Sequence, residues 1–451
     1  DEETITLVLA VIRKLSVDDR DFTRIVVEVV SEIRTAAEDE GEDSDAMMES
    51  KLRCLVIARG SLETLQHLEE QSPMEAVLSE VIIPAMQASE PALRESGVRC
   101  LGLFCVLDKA RAADFMPLFI HGVRNGHAEL QLKSLQISFD LIMLYGMEAM
   151  AEKLSDVSEI FSLISDCSEH SDNDMQAVAV EGVSKLLLAG VLTDSETLQS
   201  LILLYFHPST YGNNQLRQCL TFFFQLFCFS KESNQQALRQ VAVSCLLMLA
   251  QVHDDLDATL VYAMVTPLQI GQQLIDWMNP TKMIRSDTSG SAPVVSFAVY
   301  GDFAIELLKT ALQESQTNCK LMVQLVNKLI IDESVPRETL KELSALTKKL
   351  QEARRSLSHA TASDRVGDAT TRRTLEKLRN AFSKLVPVDA EETPVSAVDE
   401  LDELLNSDLD EGEATPPAPK KRAVTDARSS SPTPAETRDE IDQLLDSDMS
   451  E

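Results

Sequence analysis

The chain has 451 residues, with 41 Lys and Arg against 73 Asp and Glu, and a formal net charge of −32. A single hydrophobic core rarely organises more than about 250–300 residues, so the chain contains several domains or one array of repeats. Glycine is scarce, at 15 residues, which disfavours a sheet-rich protein with many tight turns. The composition predicts an all-helical protein.

The eight cysteines indicate a reducing compartment. They include no C-x-x-C pair, and most lie inside apolar runs such as Val98–Leu101 and Ser244–Leu247. We therefore expect buried free thiols. No apolar stretch approaches the ~18 residues that a membrane-spanning helix needs. The start, Asp-Glu-Glu-Thr, does not resemble a signal peptide, and the absent initiator Met leads us to expect a fragment of a longer chain.

Apolar residues recur at helical spacing along most of the chain. A first helix runs from Ile5 to Leu15, the turn Ser16–Asp19 supplies N-cap chemistry, and a second helix covers Phe22 to Ala36. The run Val294–Tyr300 has strand character but passes straight into a helical pattern, so we interpret it as a loop leading into a helix. Further helices are predicted at roughly 46–70, 74–88, 92–108, 113–124, 128–147, 157–166, 174–190, 195–206, 214–229, 234–252, 258–278, 297–313, 318–331 and 337–357.

The predicted helices repeat at offsets of 37, 45 and 41 residues. Each copy opens the second helix of a pair, and three of the four have a small residue in the middle of the aligned pattern. A period of about 40–47 residues built from two helices is typical of HEAT-type repeats. One helix pair cannot bury its apolar face alone, so we predict a HEAT-repeat α-solenoid of stacked antiparallel pairs. The aligned segments are Leu93-Arg94-x-x-Gly97-x-x-x-Leu101, Leu130-Gln131-x-x-Ser134-x-x-x-Ser138, Met175-Gln176-x-x-Ala179-x-x-x-Val183 and Leu216-Arg217-x-x-Leu220-x-x-x-Phe224.

Two stretches of these repeats are similar to a known family. They are Glu90–Lys109, and Asn214–Phe224 continued by Cys228–Ser230 and Asn234-Gln235. Together they resemble the C-terminal domain of condensin subunit 3, the G-type HEAT-repeat subunit of condensin. The resemblance covers roughly residues 45–330, with 1–36 as the preceding repeat, and the N-terminal half of such a subunit is absent.

The resemblance implies a scaffold without catalytic activity. A member of this family would bind an elongated segment of the condensin kleisin subunit, help to hold double-stranded DNA, and connect indirectly to the SMC ATPases of the complex. It would act in the nucleus and on chromosomes during mitosis, and it could be cytoplasmic outside mitosis. The alternative is a protein-only HEAT adaptor of the transport or phosphatase type, which the acidity suits equally well.

The charge is divided unevenly along three predicted regions. The solenoid occupies 1–335, a basic helical segment covers 336–386, and a tail rich in Ser, Thr, Pro and acidic residues covers 387–451, where we expect disorder. Residues 337–384 contain 12 Lys and Arg against 6 Asp and Glu.

Clustered basic residues supply the salt-sensitive part of DNA binding, although a solvated helix face would have the same pattern. In the basic segment two apolar stripes leave most of the cations outside them. The first stripe comprises Leu343, Leu346, Leu350, Ala353 and Leu357, and the second comprises Leu375, Leu378, Phe382 and Leu385. The candidate DNA contacts are Lys348, Lys349, Arg354, Arg355, Arg372, Arg373, Lys377 and Arg379.

The tail contains an 11-residue motif twice, at 399–409 and 439–449. Its apolar residues would share one face of a short helix, and an acidic segment of this kind can fold onto a groove. We hypothesise a docking peptide, with the chain's own basic segment as one candidate receptor; a solubilising role is the alternative. The docking candidates are Leu401, Leu404, Leu405, Ile441, Leu444 and Leu445.

Four residues of the tail precede proline and are minimal sites for proline-directed kinases, namely Thr393, Thr415, Ser431 and Thr433. Each phosphate would add about −1.5 to −2 charges. Such a cluster suits a protein regulated in the cell cycle. The run Pro419–Arg422 is a candidate nuclear import signal.

No pattern in the sequence predicts an enzyme. The chain has no phosphate-binding glycine loop, its seven histidines are scattered, and Asp172-Asn173-Asp174 lacks the Gly and terminal Glu of a calcium loop. We therefore predict no catalytic residue, no cofactor and no metal site. Arg94, Arg99 and Arg217 lie at predicted helix starts, where we expect pairing with neighbouring acids that orders the stack.

Overall fold

A computed structural model describes residues 2–39, 44–68, 72–257, 261–284, 295–357 and 365–385. Within these ranges the chain forms helices, turns and loops and contains no strand, which confirms the prediction of an all-helical protein. The α-helices are α1 (Glu2–Leu15), α2 (Asp19–Asp39), α3 (Ser44–Thr64), α4 (Met74–Val77), α5 (Ile83–Met86), α6 (Pro91–Leu107), α7 (Lys109–Asn125), α8 (Ala128–Tyr145), α9 (Met147–Met150), α10 (Ser158–Ser168), α11 (Asn173–Ala189), α12 (Ser195–Phe206), α13 (Asn214–Ser230), α14 (Glu232–Asp254), α15 (Pro267–Trp277), α16 (Ala298–Gln313), α17 (Gln316–Val326), α18 (Arg337–Leu357) and α19 (Arg365–Leu385).

The helices alternate between two layers. In the first layer α1, α3, α6, α8, α11 and α13 pack side by side in that order, and α15, α17 and α19 continue the row. The second layer contains α2, α4, α5, α7, α9, α10, α12, α14, α16 and α18, and its last four members also pack in succession. Many helices that follow each other in the chain pack across the layers, for example α2 with α3, α7 with α8 and α16 with α17. This is the stacking of helix pairs that the HEAT-repeat prediction requires.

The aligned segments occupy equivalent places in the first layer. Leu93, Leu130, Met175 and Leu216 are each the third residue of their helix, and all four are buried. The small residues of the pattern lie where the helices of a pair approach closely. A Cβ atom on Gly97 would lie 3.3 Å from the carbonyl oxygen of Ile82. Ser134 fills the same place in the next pair, where its Oγ would lie 2.6 Å from a Cβ added to Gly122 of α7.

Two predicted helices are interrupted at proline. The segment predicted at 74–88 consists of α4, a π-helical turn Leu78–Ile82 and α5, because Pro84 lacks the N–H that would continue an unbroken helix. The segment predicted at 258–278 instead has a 3₁₀ turn at Val261–Ala263, and α15 begins only at Pro267. Proline disfavours a helical conformation of the preceding Thr266, whose side chain forms a capping box with Gln269. Over the described residues 295–300, the interpretation as a loop leading into a helix is confirmed, since α16 begins at Ala298.

One apolar core runs between the layers from Leu9 in α1 to Phe382 in α19. The eight cysteines are free, as expected; seven are buried and Cys219 is half-buried. Ion pairs also join neighbouring second-layer elements at the surface. Because a surface ion pair contributes only about 0.2–1 kcal/mol, the buried core supplies most of the stability. These pairs are Arg34–Glu80, Arg111–Glu75 (3.2 Å), Arg239–Glu306 (3.3 Å) and Lys309–Glu342 (2.7 Å).

Candidate functional site

The basic segment forms the last helix pair of the described chain. α18 packs on α16, and α19 packs on α17 and α18, so the pair continues both layers. Most members of the two predicted apolar stripes are buried in it, namely Leu343, Leu346, Leu350, Leu375, Leu378 and Phe382. The basic side chains are thereby held on a rigid support at the end of the array.

Six of the eight predicted DNA contacts have described side chains, and all six are exposed. They are Lys348, Lys349, Arg372, Arg373, Lys377 and Arg379. Arg354 and Arg355 lie within α18, but their side chains are outside the described part of the chain. The structure therefore divides the candidates between two adjacent helices.

The cations of α19 concentrate on the side opposite its buried stripe. At 100° per residue, Arg373, Lys377 and Lys384 fall within roughly 40° of each other, facing away from Leu375 and Leu378. With a rise of 1.5 Å per residue they span about 16 Å along the helix. All three side chains are exposed. We call these three residues the α19 ridge.

The remaining cations lie in more mixed surroundings. Arg379 donates from Nη1 to Oε1 of the buried Gln351 at 3.4 Å, so this arginine also ties α19 to α18. α18 intersperses its cations with Glu338, Glu342 and Glu352. One of these acids, Glu342, pairs with Lys309 of α16 at 2.7 Å. The positive surface is therefore most concentrated on α19.

A second candidate site is a groove of about 820 Å³ between α10 and α12 in the second layer. α11 supplies Gln176 and Val183 to it, and Ile164 and Leu201 line it from the two sides. Phe161 also lines it and is 39% exposed. We call this cleft the α10–α12 groove.

The α10–α12 groove is acidic. Glu169, Asp194 and Glu196 line it, and its described lining contains no Lys or Arg. His207 also lines it, and burial lowers the pKa of this imidazole, so it is neutral at physiological pH. The groove therefore favours a cationic ligand.

Two polar atoms of the groove lack hydrogen-bond partners. Ser168 is only 5% exposed, and its Oγ has no partner among the described residues. The buried Oδ1 of Asp194 has none either, whereas its Oδ2 accepts from the N–H of Thr197 at 2.7 Å and caps α12. A buried polar atom left unpaired costs about 1–3 kcal/mol, so a hydrogen bond from a ligand to either atom would be favourable.

A polar network fixes the helices around the groove. Gln176 donates from Nε2 to the carbonyl oxygen of Ser168 at 3.0 Å. Asn213 donates from Nδ2 to Oε1 of Gln176 at 3.1 Å and to the carbonyl oxygen of Asn173 at 3.0 Å. α10, α11 and the start of α13 are thereby joined. Sequence reasoning found Gln176 only as a repeat position and missed Asn213, although an Asn before a helix is a recognisable N-cap signal.

The family model described as Cnd3, "Nuclear condensing complex subunits, C-term domain", matches residues 53–331. The chain belongs to this family. The match covers more than half of the chain and includes the groove, whereas the α19 ridge lies beyond it. The resemblance to condensin subunit 3 is confirmed.

Curated relatives of the family agree with this assignment. The chain is 28% identical to condensin complex subunit 3 of Saccharomyces cerevisiae over 370 residues, which are 79% of this chain and 34% of that protein. The Schizosaccharomyces pombe subunit is 28% identical over 305 residues, or 66% of this chain and 34% of that protein. The chain thus spans about a third of the length of these condensin relatives.

A solved condensin structure has the same fold. The crystal structure of the S. pombe condensin Cnd3–Cnd2 subcomplex matches with a TM-score of 0.70 and 24% identity, over 86% of this chain and 48% of the other. Together with the two packed layers, this match confirms the predicted HEAT-repeat solenoid. The match establishes the fold of this condensin-family chain and not its ligands.

The arginines of the condensin-family domain that were predicted to order the stack differ in their partners. Arg99 has the predicted acidic partner, Glu95, but it lies in the middle of α6 and not at a helix start, and this pair within one helix joins no two helices of the stack. For Arg217 the prediction of an acidic partner is wrong. This side chain donates from Nε to the carbonyl oxygen of Thr210 at 3.1 Å and from Nη2 to that of His207 at 2.9 Å. It satisfies carbonyl groups of the loop between α12 and α13, and so it fixes that loop in place.

Several predicted sites of this condensin-family chain fall on the tail. The four phosphorylation candidates, the import signal and both copies of the 11-residue motif lie outside the described residues. Within the described ranges, no group of three or more His, Cys, Asp or Glu is placed to hold a metal ion, and no helix is long and apolar enough to cross a membrane. Asp172 caps α11 by accepting from the N–H groups of Asp174 and Met175.

Proposed function

We propose that this chain is part of a non-catalytic HEAT-repeat subunit of condensin that binds the kleisin subunit and helps to hold DNA during mitotic chromosome condensation. The SMC ATPases would be connected to it only through the complex. Membership of the condensin family and the S. pombe Cnd3–Cnd2 structure support the assignment to a subunit of that complex.

A row of exposed apolar side chains supports binding of an elongated partner. Val106, Leu144 and Leu188 lie near the ends of α6, α8 and α11, which are successive members of the first layer. They are 36%, 53% and 38% exposed. Exposed apolar side chains in contiguous positions mark interaction surfaces, and a solenoid repeats such positions along its length. An extended kleisin segment running along the layer would contact each of them in turn.

Kleisin capture tests this row. We expect Val106→Asp, Leu144→Asp and Leu188→Asp together to abolish co-purification with the intact kleisin. A matched triple variant carries aspartate at exposed apolar positions elsewhere and should retain the kleisin. Equal retention by both variants would refute the row as the binding surface, and no capture by the unchanged chain would refute kleisin binding itself. The control positions are Val17, Val265 and Leu312.

The α19 ridge is the observation that carries the DNA part of the proposal. The chain has a net charge of −32, so most of its surface repels phosphate. The ridge gathers Arg373, Lys377 and Lys384 on one exposed face of a helix held by its buried stripe. Contacts of this kind neutralise backbone phosphates without reading sequence.

Duplex binding by the kleisin-bound complex tests the ridge. Changing Arg373, Lys377 and Lys384 to Glu should weaken binding at least tenfold near 100 mM salt. The slope of log affinity against log salt should fall by about 0.9 for each phosphate that the variant no longer neutralises. A control with the same charge change places Glu at exposed lysines distant in sequence and should have a much smaller effect. The control positions are Lys51, Lys109 and Lys231.

The alternative function, a protein-only HEAT scaffold, is favoured by one observation. The α10–α12 groove is acidic and suits a polypeptide rather than a nucleic acid. Absence of salt-dependent duplex binding by the kleisin-bound complex would favour this alternative. Equal losses of affinity in the ridge variant and its control would instead mean that net charge alone, and not the ridge, governs DNA binding.

A further inference from the structure

We propose that the α10–α12 groove binds an extended basic peptide, and that its occupant is the chain's own tail segment Pro419–Val424, Pro-Lys-Lys-Arg-Ala-Val, docked in cis. The segment lies outside the described residues, and its sequence matches the groove in charge and in apolar character. This inference is independent of DNA and kleisin binding.

The cationic part of the segment matches the unpaired atoms of the groove. A Lys or Arg side chain that enters the groove could donate to Ser168 Oγ or to Asp194 Oδ1, since both residues line it. These are the two buried atoms that lack partners. Hydrogen bonds from a cationic donor to a carboxylate are about twice as strong as neutral ones. Glu169 and Glu196 leave acidic positions for the adjacent cations of the segment.

The apolar part of the groove favours a ligand that has an apolar side chain as well as positive charges. Ile164, Val183 and Leu201 line it, and Phe161 stands exposed among its lining residues. Ile164, Val183 and Leu201 are already buried, so an aliphatic side chain next to the cations would cover mainly Phe161, which is 39% exposed. In the tail, Ala423 and Val424 directly follow Lys420-Lys421-Arg422.

The tail contains one segment that fits. Residues 387–451 include five Lys and Arg, and three of these are consecutive at 420–422. The acidic motifs at 399–409 and 439–449 would be repelled by the carboxylates of the groove. The segment is also tethered, since 34 residues separate Leu385 from Lys420. At random-coil dimensions a tether of that length would span about 30 Å, which would keep its ligand at high effective concentration.

Docking has a consequence for regulation. The docked residues Lys420, Lys421 and Arg422 are those of the candidate import signal, so docking would cover that signal. Thr415 precedes the basic run by five residues and is followed by proline. A phosphate there would add about −1.5 to −2 charges beside an acidic groove, which should release the segment.

A photo-crosslinker placed at Phe161 of the full chain tests docking in cis. We expect an intramolecular crosslink to residues 415–428, and its loss when Lys420, Lys421 and Arg422 are changed to Glu. The matched control places the crosslinker at Phe222, which is 59% exposed on α13, outside the groove, and should not reach the segment. Crosslinks from Phe161 only to other segments, to a second copy or to the kleisin would overturn the proposal, as would no crosslink at all.

A peptide titration tests the chemistry of the site. The receptor is the full chain with Lys420, Lys421 and Arg422 changed to Glu, and the probe is a fluorescent peptide of residues 415–428. Asp194→Asn keeps the helix cap but removes the charge, and it should weaken binding about tenfold. Asp108→Asn, at the equivalent cap of α7, should leave binding within twofold. Equal affinities for the two variants, or no binding of the peptide, would refute the site.

Discussion

The indole ring of Trp277 stacks on the phenyl ring of Phe224, with centroids 4.2 Å apart and planes 19° from parallel. Tyr205 lies against both rings, at 5.7 Å from Phe224 and 5.6 Å from Trp277. The cluster joins α12, α13 and α15 where the array passes from the repeats with the aligned register to those that carry the basic helix pair. Trp277 is the single tryptophan of the chain, so its fluorescence reports on this junction.

Removal of the buried Trp277 side chain should destabilise the junction between α12, α13 and α15. The side chain is 2% exposed, and Trp277→Ala should lower the free energy of unfolding by about 3–5 kcal/mol. Urea unfolding followed by circular dichroism at 222 nm measures this change. Trp277→Phe retains a ring over Phe224 and should lose clearly less. Equal losses in the two variants would show that stacking is not what holds the junction.

Packing between α8 and α11 depends on the missing side chain of Gly182. A Cβ atom there would collide with the ring of Phe139, which is buried at 6% exposure. Gly182→Ala should therefore lower the free energy of unfolding by about 1–3 kcal/mol, despite the better helix propensity of alanine. Chemical denaturation is the measurement. Gly212→Ala, where an added Cβ meets nothing within 4 Å, is the control and should be nearly neutral.

The relation between Gly182 and Phe139 also shows what could be predicted from sequence. The aligned apolar positions recur once per repeat at a similar place in each helix. The periodicity of the sequence was therefore enough to place Leu93 and Met175 correctly in the core. The α10–α12 groove depends on how far apart two helices of the second layer lie. Ser168 and Asp194 are ordinary residues in sequence, a serine at a helix end and an N-cap. Only packing leaves their oxygen atoms buried without partners.

The basic segment also has some features that sequence predicts and others that depend on packing. Sequence separated the apolar stripes from the cations and so found Arg373 and Lys377. The sequence did not show which of the eight candidates lie together. Packing against the neighbouring helices decides which cations share one exposed face. The structure adds Lys384 to these two and gives Arg379 a structural partner in Gln351. The late start of α15 was missed because apolar periodicity continues through Pro267.

The hydrogen bond between Asn213 and Gln176 should couple two repeats energetically. Asn213→Ser keeps a capping hydroxyl for α13 but removes the donor to Gln176, whose Oε1 is then left buried. We expect a loss of about 1–3 kcal/mol in the free energy of unfolding. A double-mutant cycle with Gln176→Met should give a coupling energy of about 0.5–3 kcal/mol, measured by urea unfolding. Additive effects would show that the bond contributes nothing specific.

The buried thiols should make the protein less stable in alkaline solution. Burial raises the pKa of Cys100 and Cys245 to about 12 and that of Cys167 to about 11. An unfolded thiol ionises near pH ~8.5. Between that pH and about 11, the unfolded chain releases protons that the folded chain retains, so the free energy of unfolding falls as pH rises. Each such thiol should cost about 1.4 kcal/mol at pH 9.5.

Urea unfolding at pH 7.5 and 9.5 measures this dependence, and a cysteine variant assigns it. Cys100→Val removes one titrating thiol from a fully buried site while keeping an apolar side chain of similar size. The variant should lose about 1.4 kcal/mol less than the unchanged chain between the two pH values, whatever its stability at pH 7.5. An identical pH dependence in both proteins would mean that other groups cause the alkaline loss. Because the comparison is a difference between two pH values within each protein, repacking around the introduced valine cancels from it.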